Sequence, residues 1–252
     1  MRNDRDFKAA ITDADLESPL DRLPPLDGTV ESKPDPEAML ALLYAPDSQQ
    51  RILAARAFCE LQDERAVGAL LLLLRDPCPL VRVSVAYALG RNPSPEAVEP
   101  LIAQLQTDLN GYVRKGVTWA LGNCRDRRAL PSLIEALRTD IAAVRLWAAS
   151  SLGQAGAIDY EAMVAAVPPL VEALRRDTIP VVRSNTAWAL GQICRDLPSN
   201  VVYATVIDAL IEALVEDGDM GVREDARSAL LKVGDPHALQ MIEALEQEGM
   251  LW

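Results

Sequence analysis

The chain has 252 residues, with 25 basic and 37 acidic side chains and a net charge of −12. Half of it is hydrophobic and only 4% is aromatic, which excludes a disordered chain and suits stacked aliphatic helices better than one large core. A pI near 4.6 excludes nucleic-acid binding through phosphate attraction, and a single histidine, His237, excludes chemistry that needs a histidine pair.

Residues 1–33 come first and read as a flexible acidic leader. They carry eight acidic and five basic side chains, several prolines and no sustained period. The N-terminus has no continuous apolar stretch, so it does not read as a secretory signal. Apolar runs such as Ala69 to Leu74 are far short of the roughly 20 residues of a membrane span. The four cysteines form no CxxC pair. A cytoplasmic protein with reduced thiols is the reading that follows, with no membrane partner.

From residue 34 to 252 the chain repeats itself. One arginine marks each unit: Arg51, Arg82, Arg114, Arg145, Arg183 and Arg223. An aspartate precedes each, in order Asp47, Asp76, Asp108, Asp140, Asp177 and Asp217. Valine stands immediately before the last five arginines. Seven residues after each comes Phe58, Leu89, Leu121, Leu152, Leu190 or Leu230. Glycine follows that residue in four units: Gly90, Gly122, Gly153 and Gly191. A repeat of this period means a solenoid.

Each unit carries two helical patterns. The first precedes the aspartate, as in Val206, Ile207, Leu210, Ile211 and Leu214, with the spacing of an amphipathic helix. The second follows the aspartate turn. Its valine, the third residue after the arginine and the leucine share one face. The glycines read as C-terminal helix stops. The last two units are longer by about two helical turns, added around Asp159 and Pro198, which predicts longer first helices there. The expected fold is all-α: an α-solenoid of about six helix pairs plus a closing helix near His237 to Glu246.

The pattern Asp-x(4–5)-Val-Arg-x-x-Ala-x-x-Ala-Leu-Gly resembles the HEAT-like repeat of the phycobilisome-lyase type, over residues 36 to 248. Two cyanobacterial families within that group are similar: bilin lyase subunits, and a HEAT-repeat protein that partners A-type iron–sulfur carriers. The stretches NPSPEAVEPLIAQL, GYVRKGVTWALGNCRDRRAL and LPSNVVYATVIDALIE resemble the second more. That resemblance implies a non-catalytic scaffold in iron–sulfur cluster biogenesis or iron homeostasis, with no intrinsic cofactor and any cluster carried by the partner. The alternative is a phycobilin lyase subunit or chaperone acting on a phycobiliprotein subunit. A third HEAT-like family, deoxyhypusine hydroxylase, holds two irons with His-Glu pairs, and one histidine cannot supply them.

Candidate site residues follow from the helical wheel. The position five after the arginine points away from the core and reads Tyr87, Trp119 and Trp188 in three units; the position nine after reads Glu60, Arg91, Asn123, Gln154, Gln192 and Lys232, of which Arg91, Asn123, Gln154 and Gln192 are taken as candidates. Trp147 and Lys115 lie near the same surface. Together they predict a partner-binding groove of aromatic anchors, amides and positive charge, against the alternative that Trp119 packs between repeats. The arginine–aspartate register reads as structural, tying neighbouring repeats together. Cys124 and Cys194 are candidate ligands for a cluster shared with a partner. They are two repeats and so roughly 20 Å apart at helix spacings of 8–10 Å, too far to share one metal within the chain. No residue is assigned a catalytic role and no metal site is expected.

Overall fold

The computed structural model describes residues 34–249; the expected leader, residues 1–33, and the last three residues lie outside it. Among the described residues there are thirteen α-helices. The first six are α1 (Pro36–Leu42), α2 (Ser48–Ala57), α3 (Ala66–Leu73), α4 (Pro79–Arg91), α5 (Val98–Thr107) and α6 (Gly111–Cys124). The remainder are α7 (Leu130–Thr139), α8 (Ala142–Leu152), α9 (Tyr160–Arg176), α10 (Pro180–Cys194), α11 (Val201–Glu216), α12 (Met220–Val233) and α13 (Pro236–Gln247). Odd and even helices up to α12 pair as the outer and inner helix of each repeat, and α13 closes the stack. The all-α solenoid stands as the sequence predicts it.

The starts of the helices are set by local chemistry. Pro36, Pro79, Pro180 and Pro236 open α1, α4, α10 and α13, where a missing N–H costs nothing. Side-chain caps complete others: Asn110 accepts from the Tyr112 and Val113 amides, and Asn200 from those of Val202 and Tyr203. The two added stretches lengthen α9 and α11 to 17 and 16 residues, against 10 for α5 and α7.

The repeated apolar register is the core. Val81, Val113, Val144, Val182 and Val222 are fully buried, as are Leu89, Leu152, Leu190, Leu230 and Phe58. Thr186 takes the third position of its helix, where its hydroxyl donates to the Val182 carbonyl at 2.7 Å. That bond satisfies a polar atom with no access to water.

The arginine–aspartate register is an inter-repeat clamp. Arg82 donates through Nε and Nη2 to Asp108 at 2.8 and 3.0 Å, Arg114 to Asp140 at 2.7 and 2.6 Å, Arg145 to Asp177 at 2.7 and 2.8 Å, and Arg183 to Asp217 at 2.7 and 2.8 Å. Arg51 reaches Asp76 at 2.7 Å in the same sense. In each of the four forks Nη1 donates to the carbonyl of the aspartate in the arginine's own repeat. One guanidinium therefore holds its own turn and the carboxylate of the next. The planar fork matches this task geometrically, which lysine could not do.

The four glycines correct a sequence expectation. None ends its helix in a left-handed conformation; among the described residues, positive φ at glycine is confined to Gly234 and Gly249. Instead they allow inner helices to touch. A Cβ on Gly122 would meet Ser151 Cβ at 2.8 Å, and one on Gly153 or Gly191 would meet the Cβ of Ala189 or Ala229 at 2.9 or 2.8 Å. Gly90 lies under the Trp119 ring, 2.4 Å from where its Cβ would stand.

Candidate functional site

Close approach along one side curves the stack. Successive inner helices, from α2 on α4 through to α10 on α12, pack against one another far more extensively than successive outer helices do. The stack therefore bends toward them, and their outward faces line the concave side.

Side-chain amides and hydroxyls reinforce that side. Asn92 Nδ2 donates to the Phe58 carbonyl at 2.7 Å and Asn123 Nδ2 to the Gly90 carbonyl at 3.2 Å. Ser151 Oγ donates to the Thr118 carbonyl at 3.0 Å and Asn185 Nδ2 to the Leu146 carbonyl at 2.7 Å. Each ties an inner helix to the one before it. Asn92, Ser151 and Asn185 escape a repeat-based reading because they sit at different register positions. Asn123, expected to serve a partner, spends one donor on this internal bond.

The aromatic residues fall into two groups. Trp119 is half-buried, lies over Gly90 and contacts Tyr87 with ring centroids 5.4 Å apart at 43°. That is the inter-repeat packing raised as the alternative, and it still leaves part of the ring on the concave face. Trp147 is half-buried too, with Lys115 Nζ 5.9 Å from its ring centroid. Trp188 is 38% exposed. It borders a notch of about 30 Å³ with Gln192, Arg195, Asp225 and Lys232. Gln192 accepts a hydrogen bond from Arg195. Gln154 is half-buried just past the end of α8, and Arg91 is exposed at the end of α4.

Lys115 departs from expectation. It is 4% exposed, covered by the next inner helix rather than displayed on the groove surface. Its charge is set against the electron-rich face of Trp147.

Charge is segregated more sharply than the composition suggests. Across α2, α4, α6, α8 and α10 there is no aspartate or glutamate, in a chain with 37 of them. Their ladder arginines are neutralised at one edge by aspartates of the turns. The other basic side chains on these helices are Arg56, Arg91 and Lys115. The outer helices α5, α7, α9, α11 and α13 all carry glutamate. The acid-free stretch is thus confined to the helical residues of α2 to α10; Glu60 is exposed just past α2, and α12 brings Glu224 and Asp225, the latter at the Trp188 notch.

Cys124 and Cys194 are the last residues of inner helices α6 and α10. Cys194 is 1% exposed, and burial pushes its thiol up to about 12. Cys124 is partly buried, and burial likewise pushes its thiol up to about 11. A thiol at these values is almost entirely protonated near neutrality and is a poor ligand or nucleophile. Of the two, Cys124 alone retains surface for a partner to approach. Among the described residues no group of three or more His, Cys, Asp or Glu side chains is placed to hold a metal ion. No described helix is long and apolar enough to cross a membrane.

These features define a helical-repeat scaffold with a differentiated concave face. The sequence profile of the HEAT repeats family matches residues 36–122, 98–191 and 167–248, and the chain belongs to that family. Comparison with curated proteins gives no significant match. Among solved structures, an engineered protein is similar with a TM-score of 0.59 and 26% identity, over 79% of this chain and 98% of its own. A designed armadillo repeat protein in complex with the peptide (KR)4 gives a TM-score of 0.60 and 21% identity, over 79% and 98%. The complex of CpcE and CpcF of phycocyanin lyase from Nostoc sp. PCC7120 gives 0.57 and 23%, over 87% and 85%.

Proposed function

We propose that the protein is a non-catalytic scaffold that seats a protein segment along its concave face. The observation that carries this reading is the row of partly exposed rings, Tyr87, Trp119, Trp147 and Trp188, on inner helices α4 to α10, whose own residues include no aspartate or glutamate. Aromatic rings so placed give large contact areas at low conformational cost, and they are the residues on which binding energy concentrates. The designed armadillo protein, of the same architecture, holds a peptide, which supports using this kind of solenoid as a receptor.

The finer identity of the partner rests on resemblance. Three stretches of the sequence favour an A-type iron–sulfur carrier, with the cluster held by the carrier and Cys124 the candidate additional thiolate. The likeness in fold to the phycocyanin lyase complex supports the second reading, a bilin lyase subunit or chaperone for a phycobiliprotein. His237, the sole histidine, lies in the first turn of α13. A lyase role would therefore work by holding ligand and acceptor together.

Titration of the purified protein with a purified A-type carrier and, separately, with a phycobiliprotein subunit plus bilin separates these readings. A stable brown complex with the carrier supports the first. A covalent, fluorescent bilin adduct supports the second. Binding to either that is unchanged by Trp188→Ala would refute the groove as the seat of the partner.

A further inference from the structure

The turns between outer and inner helices differ at one position from repeat to repeat. The residue after the register aspartate is Ser48, Pro77, Leu109, Ile141, Thr178 or Gly218. Four of these are small or turn-forming. The other two, in adjacent repeats, are large aliphatics left in water: Leu109 is 98% exposed and Ile141 50%. Both border one groove of about 540 Å³, set between the last turns of outer helices α5 and α7. Ile141 reaches across Gly111, where a Cβ would stand 2.5 Å from its Cδ1, and so lies beside the turn that carries Leu109.

The polar lining of this groove has spent its donors and kept acceptors. Arg114, the one cation that lines it, commits Nε and Nη2 to Asp140 and Nη1 to the Asp108 carbonyl. Gln106 Nε2 donates to Ser132 Oγ at 3.3 Å. The Thr107 and Thr139 hydroxyls donate inward, to the Ala103 and Glu135 carbonyls at 2.7 and 3.0 Å. Asp108 and Asp140 are neutralised by Arg82 and Arg114. Glu135 is exposed and forms no ion pair among the described residues. Arg138, on the same helix, is held by Glu172 of α9. Two helix C-termini add their partial negative charge at the same place.

We infer that this groove docks a protein segment in which a lysine or arginine stands beside an aliphatic residue. The cation meets Glu135 and the threonine oxygens, and the aliphatic residue covers Leu109 and Ile141. Charge complementarity selects the sign. Exposed aliphatics grouped at a groove supply the apolar contact. The surface lies on the turn edge of the solenoid and is independent of the concave rings, so a scaffold built this way can hold a second segment while its concave face is occupied.

The test uses the full chain, isotope-labelled for amide NMR, and the acetylated, amidated peptides SLKLIKS, SLELIES and SSKSSKS. The amides of Leu109, Asn110, Thr139 and Ile141 should shift saturably with SLKLIKS. SLELIES should bind about tenfold more weakly, and SSKSSKS, which lacks the aliphatics, should weaken by a similar factor. Leu109→Ser, at a side chain in open water, should weaken SLKLIKS about tenfold and Glu135→Gln about threefold. Trp188→Ala should leave it unchanged. Equal binding of SLKLIKS and SLELIES would overturn the basic partner. Shifts confined to the indole N–H groups of Trp147 and Trp188 would put the peptide on the concave face, supporting that face and overturning this groove. Edge amides that stay still at about 1 mM SLKLIKS, where a Kd of that order would half-fill the site, would overturn the docking surface and leave the concave reading untouched.

Discussion

Trp119 of one inner helix lies directly over Gly90 of the preceding one, so that a methyl group on Gly90 would sit 2.4 Å from Cζ3 of the ring and 3.0 Å from the Ala120 Cα. The relationship links the repeat's packing to its surface. The missing side chain lets the two helices close, and the ring that fills the gap also contributes to the concave face. Gly90→Ala should therefore destabilise the protein. Overpacking of this kind costs about 1–3 kcal/mol, offset by about 1 kcal/mol from alanine's better helix propensity. Gly218→Ala, at a glycine with open space around it, serves as the control. Urea denaturation of both variants measures the difference, and an unchanged midpoint for Gly90→Ala would show that Trp119 swings aside freely.

The clamp between Arg114 and Asp140 predicts a large asymmetry between inner-edge and outer-face ion pairs. Arg114 and Asp140 side chains are 18% and 12% exposed, and the guanidinium also holds the Asp108 carbonyl. Arg114→Ala leaves a sheltered carboxylate and a turn carbonyl without their donor, at about 2–3 kcal/mol. Arg138 and Glu172 pair on the outer face at 3.4 Å with 51% and 50% exposure, and Arg138→Ala should cost less than about 0.5 kcal/mol. Equal midpoints for the two variants in urea would contradict the clamp.

The contrast explains what was legible in the sequence. The clamp and the core register could be read because every repeat writes the same residue at the same place: Val, Arg and Leu recur, and their burial follows. The glycines recur as well, but the letter alone does not say whether a residue is there for its backbone freedom or for its lack of a side chain. Only the distance to Ser151, Ala189 or Ala229 decides that. Lys115 was misplaced for a related reason. A helical wheel gives its direction from α6 but not that α8 covers it with Trp147. The polar ties from Asn92, Ser151 and Asn185 stand at no common register position and so leave no periodic trace.

The same clamp makes stability depend on pH in one direction. Burial alone would raise the Asp108 carboxyl, but hydrogen bonds from Arg82, the Asn110 amide and Gln104, with the charge of Arg82, hold it below the usual carboxylate value. Asp217 is lowered likewise: burial opposes, and Arg183 with the Asp219 amide prevails. The folded values lie below the unfolded one near about 3.9. Their contribution is therefore complete above that pH and is lost as acid titrates the folded groups. Wild type should lose stability below about pH 4. Asp108→Asn with Asp217→Asn should begin less stable at pH 7 and fall less steeply in acid. Parallel curves from thermal melts across that range would exclude these two groups as the cause.

The concave rings should separate stability from binding. Trp119 is wedged between Gly90 and Tyr87, so Trp119→Ala opens a gap between α4 and α6. Large-to-small changes at fully buried tryptophan cost about 3–5 kcal/mol, and this half-exposed ring should fall somewhat below that range. Trp188 is 38% exposed beside a small notch, and its loss should cost about 1 kcal/mol. If the face receives a partner, Trp188→Ala should still weaken binding by about 2 kcal/mol, roughly thirtyfold, as expected of an aromatic anchor. Calorimetric titration at a temperature where both variants remain folded measures this directly. A Trp188→Ala protein that binds as tightly as wild type would move the binding site away from the inner helices. A loss confined to Trp119→Ala and matched by its lowered melting point would reduce the aromatic strip to packing.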